Sequence, residues 1–402
     1  MNLVERTISY IKERADKIIQ GGINSIPSPF VRFKSEFIGI EQKKYYIVTA
    51  NTKVGKTQFA NFIFVFNAII YAYEHPDQVR LKIFYYALEE TPEDITLRFM
   101  SYLLNKYAHI RISTSDLASS ANVPLDDKIL EALKLPTIKA LLDFYNEHVE
   151  FSPTRNPTGI NKEVRAFMLD NGTVHYRNVT VKDEMTGKPK EVQKFDYYKP
   201  NDPDLYTIVI VDHASLLQPE QGLTDKTKID KMSEYFVELR NKYRVTPVLV
   251  QQQTADRESL DAFKENKLRP TAQGLADSKY TGRDCDCLIG VFNPFKHELP
   301  EYKKYDITKL QGNCRFVEMI LNRGGQCGGI VGLYFDGVTC DWAELPKPDD
   351  YTNLNKLYTF LKNLNKQSVS FFIYNMWLDW FKGKEEKKQI KNKRKNLFNW
   401  KH

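Results

Sequence analysis

The chain has 402 residues, of which 42% are hydrophobic and 13% aromatic, enough for two or three domains with buried cores. Its five cysteines form no Cys-x-x-Cys pair and no metal-ligand spacing with histidine, which argues against a disulfide scaffold or a zinc module. Neither a signal-peptide core nor an apolar run of about 18 residues is present. We therefore expect a soluble intracellular protein in the cytoplasm, or in the host cytoplasm if the protein is viral, with no membrane contact.

The net charge of +7 comes from one end of the chain. Residues 382–402 contain nine Lys or Arg and two Glu, so residues 1–381 are neutral overall. Such a tail can contact nucleic acid or remain solvated. Any prediction of DNA binding must therefore come from local loops and not from the global charge.

The first predicted element is an amphipathic helix over residues 3–19, ended by Gly21-Gly22. A helix this short has no core of its own, so its apolar stripe must lie on its own domain or on a neighbouring subunit. The stripe consists of Val4, Ile8, Ile11, Ala15 and Ile18.

From residue 45 onward, strands and helices alternate, which predicts an α/β fold with a mainly parallel sheet. The predicted strands are 45–49, 82–88, 206–211, 247–251, 285–292, 316–321, 330–335 and 338–342, the last two forming a hairpin across Asp336-Gly337. The predicted helices are 58–73, one capped by Thr91 and Asp94, 126–134, 137–146 and 228–243.

An insert over about residues 170–200 contains a predicted hairpin, Val174–Tyr198, that turns at Thr186-Gly187. After residue 350, leucines at helical spacing predict a further helix. The aromatic segment 371–381 then either packs on the core or docks a partner. The predicted domains are a linker helix (1–22), a nucleotide-binding domain (23–346) and a helical extension with the basic tail (347–402).

The strongest motif is a phosphate-binding loop between a strand and a helix. It matches G-x-x-x-x-G-K-[ST] except at its first position, and it consists of Ala50, Asn51, Thr52, Lys53, Val54, Gly55, Lys56 and Thr57, followed by Gln58. Backbone N–H groups of such a loop surround a triphosphate. Lys56 would reach the β- and γ-phosphates, and Thr57 would bind Mg²⁺. The predicted cofactors are ATP and Mg²⁺.

Acidic residues at two strand ends complete this predicted site. Asp212 ends an apolar strand and is the candidate that holds Mg²⁺ through water. Glu89 follows another strand, where it would activate the attacking water, and Glu90 is the competing candidate.

In their order along the chain, these motifs resemble the RecA-type ATPase domain of DnaB-like replicative DNA helicases, of phage type. The resemblance covers about residues 23–345. It includes Ala at the first loop position, Ala87-Leu88-Glu89, the strand ending at Asp212, Gln253 at a fixed offset from Pro247, and Leu321-Asn322-Arg323-Gly324-Gly325-Gln326-Cys327-Gly328. It implies a RecA-like P-loop core, preceded by a linker helix and followed by a helical extension.

The resemblance also implies roles for two more residues. Gln253 would sense the γ-phosphate, and Arg323 would act as an arginine finger on the nucleotide of a neighbouring subunit. The chain departs from the family pattern at Leu321, where a Lys is usual, and at His213, where a Tyr is usual. The first departure bears on the rate of hydrolysis and not on nucleotide binding.

By this resemblance, the loops after Asp212 and Gln253 would contact single-stranded DNA through Lys226, Lys228 and Arg257. The predicted function is an ATP-dependent replicative DNA helicase that forms a homo-oligomeric, hexameric ring and works with a primase or a loader. The alternatives are a RecA-like recombinase or regulatory ATPase, and a DNA-binding ring subunit that hydrolyses ATP weakly.

Overall fold

The computed structural model describes residues 3–182, 188–222, 224–258 and 268–362, with isolated positions between 369 and 376. The chain forms two compact units, one of residues 1–95, 139–292 and 317–330 and the other of residues 96–138, 293–316 and 331–402. The predicted basic tail and most of the aromatic segment lie outside the described residues. The predicted domain boundaries at 22 and 346 stay predictions. Within the described ranges, no helix combines the length and apolar character that crossing a membrane requires.

Strands and helices alternate through most of the chain. The strands are β1 (Ser25–Pro27), β2 (Gly39–Glu41), β3 (Tyr46–Ala50), β4 (Arg80–Ala87), β5 (Val149–Phe151), β6 (Gly172–Lys182), β7 (Pro189–Pro200), β8 (Leu205–Asp212), β9 (Thr246–Gln252), β10 (Cys287–Phe292), β11 (Glu301–Tyr302), β12 (Tyr305–Asp306), β13 (Cys314–Asn322), β14 (Ile330–Asp336) and β15 (Asp341–Glu344). The helices are α1 (Leu3–Ile19), α2 (Lys56–Asn61), α3 (Ala68–Glu74), α4 (Pro92–Ala108), α5 (Thr114–Leu117), α6 (Asp127–Leu133), α7 (Pro136–His148), α8 (Pro157–Asp170) and α9 (Asp225–Tyr243), then Thr281–Asp284, Ile307–Leu310 and Tyr351–Lys362.

A parallel sheet organises the first unit, which confirms the predicted α/β class. Its strands follow the order β10-β3-β9-β8-β4-β5, and every neighbouring pair in this series is parallel. Every residue of β3 and of β10 is buried, as expected for strands covered on both faces. All carboxyl ends of these strands therefore meet at one edge of the sheet.

Several element boundaries differ from the predictions. The helix predicted over 58–73 is divided by a π-helical stretch, Phe62–Asn67, between α2 and α3. Strand β15 begins at Asp341 and not at Val338, because residues 337–340 form the turn of the hairpin with β14. The sequence pattern predicts neither β5, which is too short to show a period, nor α8, although Asn156 caps α8 and Pro157 begins it.

The N-terminal helix is present as predicted, and it is tied to the first unit by its polar side. Arg6 pairs with Asp196 of β7 at 3.1 Å, and Lys17 pairs with Asp204. The apolar stripe is not buried by the described part of this chain. Val4, Ile8, Ile11 and Ile18 are each about half exposed or more.

A partly buried ion pair fixes the beginning of β3, the strand that leads to the phosphate loop. The Arg240 Nη1 lies 2.8 Å from Asp286 Oδ2 and also donates to the Asp284 carbonyl at 3.0 Å. Asp286 accepts a further hydrogen bond from the backbone N–H of Tyr45 at 2.8 Å. Arg240 is 9% exposed, so water does not replace these contacts.

We predict that Arg240→Met lowers the free energy of unfolding by about 2 kcal/mol, because it removes a charged hydrogen-bond donor from the partly buried Asp286 carboxylate. Urea denaturation followed by circular dichroism measures the change. The matched control is the double variant Arg240→Met with Asp286→Asn, which removes both charges and should recover part of the loss. Equal losses in the single and double variants would contradict this account.

Candidate active site

The phosphate loop connects β3 to α2 as the motif predicts. Gly55 has φ of +105°, a left-handed conformation that favours glycine, and its carbonyl accepts the N–H of Phe59 to start the helix. Lys56 and Thr57 are 8% and 6% exposed, so both side chains lie within the fold. The first N–H groups of the helix have no acceptor within it and are available to an anion.

The other loop residues differ in exposure. Ala50 is fully buried, and its φ is not in the left-handed region, so the Cβ at this position causes no strain. Asn51 is buried, and its Nδ2 donates to the Leu268 carbonyl at 3.3 Å. Val54 is also buried, Gln58 is half-buried, and Thr52 and Lys53 are exposed.

Asp212 lies at the carboxyl end of β8, beside the end of β4. The register pairs Ala87 with Asp212, and the Leu88 N–H donates to the Asp212 carbonyl at 2.8 Å. The Tyr85 hydroxyl lies 2.8 Å from Asn61 Oδ1 and 3.3 Å from Asp212 Oδ2. Asp212 Oδ1 is buried and has no hydrogen-bond partner among the described residues. One carboxylate oxygen is thus held by the fold while the other is available to a ligand.

Glu89 meets two basic side chains at this edge. Its Oε2 lies 3.6 Å from Lys56 Nζ and 3.4 Å from His213 Nε2. The Glu89 side chain is 47% exposed, whereas those of Lys56 and His213 are 10% and 8% exposed. These two contacts make Glu89 a candidate for the base beside the phosphate loop. The predicted site did not include His213, although its position directly after Asp212 is a signal that could have found it.

Burial changes the acid–base properties of this cluster. Burial raises the pKa of Asp212 to about 6. The positive charge of Lys56 and the hydroxyl of Thr57 act to lower this pKa, whereas the negative charges of Glu90 and Glu89 act to raise it. Burial and the Lys56 charge lower the pKa of His213. His213 is therefore neutral at physiological pH, and its Nδ1 is buried with no hydrogen-bond partner in the described structure.

Gln253 faces the strand that precedes the phosphate loop. Its Nε2 donates to Thr49 Oγ1 at 2.9 Å and to the Thr271 carbonyl at 3.1 Å, and its Oε1 accepts the Thr271 N–H at 3.1 Å. The side chain is 5% exposed. A γ-phosphate contact by Gln253 would require some of these bonds to be exchanged, and that role stays a prediction.

Arg323 lies at the opposite edge of the sheet. Its N–H donates to the carbonyl of Asp286, whose side chain accepts the N–H of Tyr45 just before β3. The phosphate loop follows the other end of β3, and five residues of strand span about 17 Å. Arg323 is exposed, and its guanidinium forms no ion pair within the described part of the chain. This separation places Arg323 out of reach of the phosphate loop of its own chain.

The DNA contacts predicted for Lys226, Lys228 and Arg257 stay predictions, although two of these residues lie in a helix and not on a loop. Lys226 and Lys228 lie in the first turn of α9, because Thr224 caps this helix early. The Lys228 ammonium is buried and donates to Asp225 at 2.7 Å and to the Ser215 carbonyl at 3.0 Å. Lys226 is exposed with its Nζ 5.2 Å from the centre of the Tyr280 ring, and Arg257 lies in a short 3₁₀ helix, Ala255–Glu258.

The residues at this edge fit Mg²⁺ with a nucleotide. The described residues contain no cluster of three His, Cys, Asp or Glu side chains that could hold a metal by themselves. Mg²⁺ in nucleotide sites needs only one or two protein ligands, because phosphates and water supply the others. The unpartnered Asp212 Oδ1 and the Thr57 hydroxyl on the adjacent helix are suitable oxygen donors.

Comparison with solved structures identifies the fold. An isolated ATPase domain of a DnaB-like replicative helicase superposes with a TM-score of 0.60 at 14% identity, covering 86% of this chain and 99% of that chain. A second DnaB-like replicative helicase, solved in a study of its interactions with primase, superposes with a TM-score of 0.58 at 14% identity, covering 85% of this chain and 66% of that one. No family model and no curated protein matches the sequence. The predicted fold is confirmed: the chain has the RecA-like fold of DnaB-like helicase ATPase domains.

We predict that Asp212→Asn stabilises the protein in nucleotide-free buffer with a chelator. An acid whose pKa is raised by folding binds its proton more tightly in the native state, so its contribution to stability falls as the pH rises from about 4 to about 6. Because one pKa unit corresponds to about 1.4 kcal/mol, the ionised Asp212 costs about 3 kcal/mol at neutral pH.

Urea denaturation of both proteins from about pH 4 to about pH 7 measures this effect. The free energy of unfolding of Asp212→Asn should exceed that of the wild type by a margin that grows with pH. A margin that does not vary with pH would contradict the raised pKa.

Proposed function

We propose that this protein is an ATP-dependent DNA helicase of the replicative type. The observation that carries the proposal is the contact of Glu89 with Lys56 and His213, beside Asp212 and the phosphate loop. This arrangement contains a phosphate-binding cation, a metal-binding carboxylate and a base at one edge of a RecA-like sheet. The fold it shares with DnaB-like helicase ATPase domains supports DNA as the substrate, and a primase or a loader as partners.

Each residue has a proposed task in phosphoryl transfer. Lys56 and the loop N–H groups bind the β- and γ-phosphates, while Thr57 and Asp212 hold Mg²⁺, which neutralises charge on the phosphates when bound. Once the triphosphate draws Lys56 away, the Glu89 carboxylate becomes free to accept a proton from the attacking water. His213 keeps that carboxylate in place through its neutral ring.

Assembly into a ring is the second part of the proposal. Arg323 lies about 17 Å along the sheet from its own phosphate loop, so its proposed role as an arginine finger requires the site of another subunit. The exposed apolar stripe of α1 also supports assembly, because nothing in the described chain covers it. Stepwise hydrolysis around such a ring, proposed to be a hexamer, would move it along single-stranded DNA, with Lys226 and Arg257 as proposed contacts.

We predict that Lys56→Ala abolishes unwinding and lowers ATP hydrolysis at least about 100-fold, because it removes a cation that stabilises the transferring phosphoryl group. Glu89→Gln should reduce hydrolysis by about 10²–10⁴ while nucleotide binding persists, since the base acts only in the chemical step. Calorimetric titration with a non-hydrolysable ATP analogue and a phosphate-release assay separate the two effects. Glu90→Gln is the matched control, and a larger loss in that variant would exchange the roles of Glu89 and Glu90.

We predict that Arg323→Ala and Lys56→Ala are each inactive alone and that mixed assemblies regain hydrolysis. In a ring with head-to-tail contacts, an intact Lys56 in one subunit can meet an intact Arg323 of its neighbour. Random mixing in equal amounts would complete about a quarter of the sites. A mixture that stays inactive, although native mass spectrometry detects mixed assemblies, would show that Arg323 does not act across a subunit boundary.

One observation favours a second candidate function, a ring subunit that binds ATP and DNA but hydrolyses slowly. Leu321 occupies the position at which the helicase pattern has a second cation, and its side chain packs against the core cluster of the first unit. Phosphate release measured with and without single-stranded DNA separates the candidates. Nucleotide binding without stimulation by DNA would favour the slow subunit.

A further inference from the structure

The inserted hairpin β6–β7 has two different faces. Strands β6 and β7 form a two-stranded sheet. His175 lies opposite Tyr197, and the next residue, Tyr176, lies opposite Phe195. Asp196 is therefore an extra, bulged residue. The inner face contributes Val174, Phe195 and Tyr198 to the hydrophobic core. Gly172 is required beside Tyr198, because a Cβ there would lie 2.3 Å from the ring.

Side-chain alternation places a row of cations on the other face, which we name the outer face. It presents Arg177, Lys190, Lys194 and Lys199, and all four side chains are exposed. None of these four has an acidic partner within ion-pair distance among the described residues. Arg177 lies directly opposite Lys194, an arrangement of like charges that destabilises a strand pair when no anion is bound.

The acidic residues in the described part of the hairpin do not neutralise this row. Glu191 lies on the inner-face side opposite Thr180, and the bulged Asp196 is paired with Arg6. Asp183 and Glu184 lie outside the described residues. The outer face therefore carries charge of one sign from Lys190 to Lys199, a length of about 30 Å.

An aromatic pair lies within the same row. The rings of His175 and Tyr197 stack with centroids 4.3 Å apart and an interplanar angle of 11°, and Tyr197 is 42% exposed. An exposed aromatic side chain between cations suits a ligand that has both repeating phosphates and planar bases. An acidic protein segment would explain the cations but not the exposed ring beside them.

We propose that the outer face of β6–β7 is a binding site for the phosphate backbone of a polynucleotide, separate from the loops at the nucleotide edge. The inference rests on the proposed function in one respect, namely that the ligand is DNA. It does not depend on ATP hydrolysis. In this proposal, the hairpin binds nucleic acid whether or not ATP is bound at the phosphate loop.

The test neutralises the outer face in the full chain through Arg177→Gln, Lys190→Gln, Lys194→Gln and Lys199→Gln together. Fluorescence anisotropy with a labelled single-stranded oligonucleotide and with a duplex of the same length is measured over a series of salt concentrations. If the four cations contact phosphates, the slope of log affinity against log salt falls by about 3. The probe that shows this fall identifies single or double strand as the ligand.

The matched control removes four exposed lysines elsewhere, through Lys128→Gln, Lys139→Gln, Lys347→Gln and Lys356→Gln, and its slope should remain that of the wild type.

Tyr197→Ser should weaken single-strand binding about tenfold if bases stack there. Equal slopes in the hairpin variant and the control would overturn the inference, as would a wild type that binds neither probe. ATP hydrolysis without DNA should be the same in the hairpin variant as in the wild type. Lys56→Ala tests the ATPase proposal separately, so a failure of that proposal is distinguishable from a failure of this inference.

Discussion

The site depends on the convergence of three parallel strands at one edge of the sheet. Strands β3, β4 and β8 end together, so the residues that follow them meet although they are far apart in sequence. Lys56, Glu89 and Asp212 become neighbours for this reason. Two of the three are buried, and each reduces the electrostatic cost of burying the other.

This arrangement lowers the stability of the fold and leaves polar groups available for binding. Desolvation raises the pKa of Asp212, and its second carboxylate oxygen has no partner among the described groups. A buried acceptor without a partner is costly in a folded protein and has a use only when a ligand arrives. Under the proposed function, the charged cluster is a preorganised receptor for a cation and a polyanion, supported by the surrounding apolar sheet.

Three surfaces of the chain are the ones that the proposed assembly and the proposed ligands would cover. Arg323 is held by Asp286 at the edge remote from the phosphate loop, and the apolar stripe of α1 faces outward. The outer face of the hairpin has cations with no acids near them among the described residues. These three surfaces share one physical property: each exposes charge or apolar area that the described chain leaves uncompensated.

The sequence alone determined the α/β class, the phosphate loop and the strand ends that bear Glu89 and Asp212, because periodicity and loop chemistry are local properties. Tertiary structure decided the rest. Only the packing of strands and helices could show that His213 contacts Glu89, that the Lys228 side chain is buried, and that Gln253 is bonded to Thr49 and Thr271. The two faces of the hairpin likewise depend on a single bulged residue, Asp196. Sequence patterns indicate which residues can do chemistry, whereas long-range packing decides which of them meet, because contacts such as Glu89 with His213 and Gln253 with Thr49 join residues more than a hundred positions apart.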